Sequence, residues 1–212
     1  MRRLGLGLLG VWVGGCGAGA DPADAFAAVA SSDLSELARV AVAVGEDTES
    51  ESMCVEGPGD CMNCIENSGN MLSGGFTAGL DTLPCTVGIS RPLGEVEYTV
   101  VSSQFAGSWG RSGTEIAINM DGSRAATLEV TGPKRSGSYD TIMTVDSMGM
   151  LVEPDGTIRS WSADLSYQGL SDTLYTLSLS ATGDEVTGSA TAGEVLCTLG
   201  GTYEAPTVDC GR

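Results

Sequence analysis

No histidine occurs among the 212 residues, and only one lysine, Lys134. The first absence removes the commonest general base, the commonest metal ligand and every Ser–His or Cys–His nucleophile pair. The second stands beside 28 acidic residues and a net charge of −18, so clustered cations able to neutralise phosphates are lacking and nucleic acid is not an expected partner. The bland consequence of that acidity is solubility and self-repulsion. Long apolar runs are scarce too: LGLGLLGVWV, residues 4–13, is about half of what a bilayer-spanning helix needs. Also missing are a G-x-S-x-G elbow, an Asp-Thr-Gly or Asp-Ser-Gly triplet and a phosphate-cradling P-loop. MDGS at 120–123 lacks the alternating acids and distal Glu of a calcium loop. Glu95 and Glu97 share a face of an expected strand, where nothing raises one carboxyl against the other, and they read as a charged edge. No catalytic, cofactor-binding or metal-binding residue is assigned, no cofactor is expected, and the chain reads as a non-enzyme.

What is present begins with Arg2 and Arg3, then the apolar run, then Val13-Gly14-Gly15-Cys16. Basic start, short apolar core and small residues have the order of an export signal. VGGC resembles the lipobox of bacterial lipoproteins, in which an aliphatic and two small residues precede an obligatory cysteine. The resemblance covers the first 16 residues and implies cleavage after Gly15, diacylglycerol on the Cys16 thiol and acylation of the new amino terminus. One acyl chain holds a protein marginally, at about 0.8 kcal/mol per buried methylene, whereas several chains on one cysteine hold it firmly. Cleavage would remove Arg2 and Arg3 from the ten basic residues, leaving eight against 28 acids, a net of −20. So acidic a domain should stand away from anionic lipid. Gly17 follows the cysteine in place of the Asp that, by the enterobacterial sorting rule, favours the inner membrane. The expected location is therefore the bacterial cell envelope, lipid-anchored at the outer membrane.

Seven cysteines are an odd number; setting Cys16 aside leaves six, at 54, 61, 64, 85, 197 and 210. In an exported protein these most simply form three disulfides. CMNC (61–64) is a lone CxxC without a second close pair or a His for zinc, and its acidic, glycine-rich surroundings are not the strand–CxxC–helix setting of a redox pair. The favoured pairing is Cys197–Cys210 with two bridges among Cys54, Cys61, Cys64 and Cys85. Upstream, PADAFAAVA and SSDLSELARVAVAVG read as helical, with Pro22 in a first turn, Asp33 and Glu36 as the acidic start of a second segment and Gly45 as a stop. Leu34, Leu37, Ala38 and Ala41 share a face that packs on the protein. EDTESES (46–52) reads as a mobile acidic linker.

From about residue 94 the periodicity is two. Trp161, Ala163, Leu165 and Tyr167 alternate with Ser162, Asp164, Ser166 and Gln168. Further inner faces are Ile116/Ile118/Met120, Ala126/Leu128/Val130, Tyr139/Met143/Val145, Tyr175/Leu177/Leu179 and Val195/Cys197/Leu199/Tyr203. MDGSR (120–124), EPDGT (153–157) and ATGDE (181–185) read as hairpin turns. Eight or nine such strands make an antiparallel up-and-down meander, barrel-like or strongly curved. The run from 175 to 205 weakly resembles lipocalin-like β-meander domains. The expected organisation is a signal peptide (1–15), a lipidated flexible tether (16–23), a helical segment (24–45), an acidic Cys-rich linker or subdomain (46–93) and a β domain (94–212).

Two functions fit. One is an anchored envelope protein with a non-catalytic structural or protein-interaction role, contacting the membrane through its lipid and other envelope proteins through its surface. The other is a lipocalin-like module for a small apolar ligand, with Met148 and Met150 as possible lining. An apolar cavity of about 300 Å³ or more would favour the second.

Overall fold

The computed structural model describes residues 22–57, 59, 61–91, 94–131 and 136–210. Gly15 and Cys16 lie outside the described residues. The first element is one helix, α1 (Pro22–Glu46), rather than two segments. Alanine is its commonest residue, no proline follows Pro22 within it, and the serine pair in its middle is too weak a breaker to stop it. Gly45 lies inside its last turn, where an added Cβ would stand 2.8 Å from the Val152 side chain. Close packing, not helix termination, is what that glycine serves.

Twelve antiparallel strands follow: β1 (Ser52–Glu56), β2 (Met62–Gly69), β3 (Ser73–Leu80), β4 (Cys85–Arg91), β5 (Gly94–Ser112), β6 (Glu115–Thr131), β7 (Ser136–Val152), β8 (Ile158–Gln168), β9 (Tyr175–Thr182), β10 (Glu185–Ala192), β11 (Val195–Gly201) and β12 (Pro206–Asp209). All belong to one sheet, in chain order except that β3 and β4 both pair with the long β5, one after the other along its length. Thus the stretch 46–93 contributes four strands hydrogen-bonded into the same sheet as the residues after 94. The acidic run before it is built into the fold through Asp47, whose side chain accepts from the Glu49 and Ser50 amides and whose carbonyl accepts from Asn67.

β1 and β12 are the two ends of the sheet, and both touch α1, as do β2, β5, β6, β7 and β10 between them. A sheet whose opposite edges meet the same helix must curl around it. The barrel-like meander therefore stays unclosed, and its bore is filled by α1. Phe26, Leu34, Leu37, Ala38, Ala41 and Val44 are buried there against the inward rows of the strands. Among the described residues, Ser31, Ser32, Ser35, Arg39, Val42 and Ala43 form a partly exposed stripe along the helix, which faces the seam between the sheet's edges. On the β12 side Ser31 Oγ accepts from the Val208 amide at 3.2 Å, and Ser35 Oγ donates to the Glu204 carbonyl at 2.9 Å. Edge groups that would otherwise solicit another strand are thus occupied.

The inward rows follow the two-residue period, with Trp161, Ala163, Leu165 and Tyr167 all buried. Val195 departs from it: at the first position of β11 it is 40% exposed. EPDGT and ATGDE form tight turns, and Gly156 takes a φ of +84°. MDGSR does not turn. It lies within the 17-residue β6, where the register against β7 shifts between Met120 and Gly122. Gly122 there has a φ of +146°, and a Cβ would sit 2.4 Å from the Gln104 carbonyl oxygen; β6 keeps one inward parity from Ile116 to Leu128, and the extra residue of the shift lies on β7, between Val145 and Met148. The bridges are Cys54–Cys64, between register partners of β1 and β2, Cys61–Cys85, and Cys197–Cys210 beside the β11–β12 pair. The two cysteines of CMNC thus go to different partners.

Candidate functional site

Along α1, Asp33 and Glu36 are 0% and 2% exposed, mid-helix and facing the sheet rather than at a helix start. Between them and β6 stands Arg124, 1% exposed. Unbroken parity along β6 keeps Arg124 on the inward row with Met120, Ala126 and Leu128, which puts its guanidinium against the helix. Its Nη1 donates to Asp33 Oδ1 at 2.9 Å and to Glu36 Oε2 at 2.5 Å, and its Nη2 to Glu36 Oε1. Ser103 on β5 accepts from Nη2 at 3.1 Å, and the Phe105 ring lies 5.4 Å from the guanidinium carbon. Two tyrosines complete the shell: Tyr98 on β5 donates to Asp33 Oδ1 at 3.0 Å, and Tyr167 on β8 to Oδ2 at 3.2 Å.

This cluster carries two carboxyls against one guanidinium. Burial pushes the Asp33 pKa up to about 6, against the pull of Arg124, and the neighbouring Glu36 adds to the rise. The tyrosine hydroxyls are held well above their ordinary range, by burial first and then by the Asp33 charge, so they act as donors. Burial opposes the charge on Arg124, but Glu36, Tyr98 and Asp33 together outweigh it and keep the guanidinium protonated. Chemically the cluster is a clamp: it ties the helix to β5, β6 and β8 at one level of the bore. A buried ion pair costs desolvation that its own attraction roughly offsets, so its main consequence is to fix which residues meet.

Glu36 also reaches a cleft of about 300 Å³ on the β1 side of the seam, lined by Ser32, Ser35, Glu36, Arg39, Glu56, Gly57, Gly59 and Val87. Seven of these are polar or glycine, so the cleft suits water or a small polar group better than an apolar one. Beneath Gly57 lies Asn63 of β2, fully buried, with neither amide atom hydrogen-bonded.

Of the residues singled out by sequence, Glu95 and Glu97 are exposed on the outer face of β5, and Met148 and Met150 are core. Cys54, Cys61, Cys64, Cys85, Cys197 and Cys210 are all bridged. Sequence reasoning missed Arg124, Tyr98 and Tyr167 as members of one polar interior, and Asn63 as a buried polar side chain apart from it. A signal for Arg124 existed, since it shares parity with Ile118, Met120, Ala126 and Leu128 once MDGSR is taken as part of one continuous strand. Among the described residues no helix is long and apolar enough to cross a membrane. No family model, curated protein or solved structure matches this chain.

Proposed function

We propose that this is an exported bacterial lipoprotein, anchored at the outer membrane by acyl chains on Cys16, whose domain has a non-catalytic structural or protein-interaction role. The observation that carries the second half is the filled bore: α1 occupies the interior of the sheet, where a lipocalin-like module would hold its apolar ligand. Among the described residues, the polar cleft on the seam offers space for water or a small polar group. Three disulfides tie the strands in a way that suits an oxidising compartment. The lipobox-like VGGC supports the anchor, and the described domain starts only six positions beyond Cys16.

Membrane fractionation of the native protein beside Cys16→Ser tests the reading. The native chain should sediment with outer membranes and release only with detergent, and the variant should remain unprocessed or become soluble. A variant that is trimmed and membrane-bound like the native chain would refute the anchor. Native mass spectrometry that finds a retained apolar ligand would refute the non-carrier role.

A further inference from the structure

The tether and the fold together orient the domain. Phe26, one turn in from Pro22, stands edge-on to Tyr167 and Tyr175, with ring centroids 5.3 Å away in each case. Tyr175 opens β9 and pairs with Ala192, which in turn pairs with Val195. The first turn of α1 therefore lies beside the β8–β9 and β10–β11 connections. That end displays three large apolar side chains: Leu174 at 50% exposure, Val195 at 40% and Leu196 at 68%. The helix's other end lies by Gly156 and Asn67, near the β2–β3 tip where Met71 and Leu72 are also exposed.

Which apolar tip meets lipid is decided by reach. The six residue steps from Cys16 to Pro22 extend at most about 20 Å, whereas the 25-residue helix is about 37 Å long. The Met71–Leu72 tip at the far end is out of range when the domain stands end-on. Lying flat would press Glu95, Glu97, Glu129, Asp140 and Asp164, all exposed on the sheet's outer face, against the bilayer. We propose that the rim of Leu174, Val195 and Leu196 rests on the membrane surface, with the domain upright on its short tether. The inference rests on the anchoring at Cys16 and adds the contact surface and the orientation. Asp172 and Glu194, both exposed, flank the rim and restrict it to contact at headgroup level on lipid that is not strongly anionic.

Purified lipidated protein carrying Leu196→Trp, Leu174→Trp or Leu72→Trp, reconstituted on phosphatidylcholine vesicles with and without brominated acyl chains, tests this. Trp109 and Trp161 are buried and give the same background in all three. Brominated lipid should remove most of the added emission at positions 196 and 174 and leave position 72 unchanged. Protein that floats with the vesicles while positions 196 and 174 stay unquenched overturns the rim and leaves the anchor standing. Protein that does not float overturns both.

Discussion

Replacing Arg124 with methionine removes the one cation from a buried cluster that holds two carboxyls. Asp33 and Glu36 then lose three charge-assisted hydrogen bonds, and Ser103 loses its donor. Removing one partner of a buried pair typically costs about 3–5 kcal/mol, because the surviving charge is left desolvated. At about 2–4 °C per kcal/mol for a chain of this size, the melting temperature should fall by roughly 6–20 °C. The loss should depend on pH. Without the guanidinium, the pull that holds the buried Asp33 carboxyl down is gone, so its folded pKa rises further above the unfolded one. Such groups favour folding below the unfolded values and lose that contribution as pH rises. The cost of Arg124→Met should therefore be largest at pH 7–8 and shrink near pH 4. Denaturant unfolding followed by tryptophan fluorescence, with disulfides intact, measures it. A further Asp33→Asn and Glu36→Gln should restore much of the loss, because it removes the charges rather than the partner. A cost below about 1 kcal/mol at pH 7, or one equal at both pH values, would refute the clamp.

Asp33 alone gives a second pH signature: its folded pKa of about 6 lies above the ordinary 3.8, so its contribution is complete below pH 3.8 and lost as pH rises through 6. The difference corresponds to about 3 kcal/mol, and comparison of native protein with Asp33→Asn across pH 4–7.5 should show that slope only in the native chain. Cys61–Cys85 spans 24 positions, and its replacement by a pair of alanines should cost about 3 kcal/mol in urea unfolding. Gly45→Ala should destabilise by about 1–3 kcal/mol through contact with Val152, despite alanine's better helix propensity, and Val152→Ala in the same chain should recover part of that loss in a thermal melt.

The strand half of the fold was legible because parity is local: from Trp161 to Tyr167 each inward residue of β8 sits two from the next, and burial follows that spacing without reference to the rest of the chain. What curls the sheet was not local. Nothing within PADAFAAVA says that its apolar residues fill the bore of a sheet whose strands arrive later in the chain. Asp33 and Glu36 look like helix-start residues because acids suit a first turn, yet the helix already runs from Pro22 and their partner lies about ninety residues away on β6. Asp-Gly in MDGSR is a strong turn signal by residue type, and only pairing with both neighbouring strands keeps it extended. The disulfide count and the Cys197–Cys210 pair followed from the sequence, whereas the pairing among the first four cysteines needed the register that sets Cys54 opposite Cys64.

The account depends most on the chemical state of residue 16. Intact mass measurement of the protein extracted from the membranes of its own host, before and after reduction, reads it directly. The predicted species begins at Cys16, carries diacylglycerol and an acyl group on that residue, and gains six protons' mass when its three bridges are reduced. A chain that begins elsewhere, or whose Cys16 bears no lipid, would contradict it.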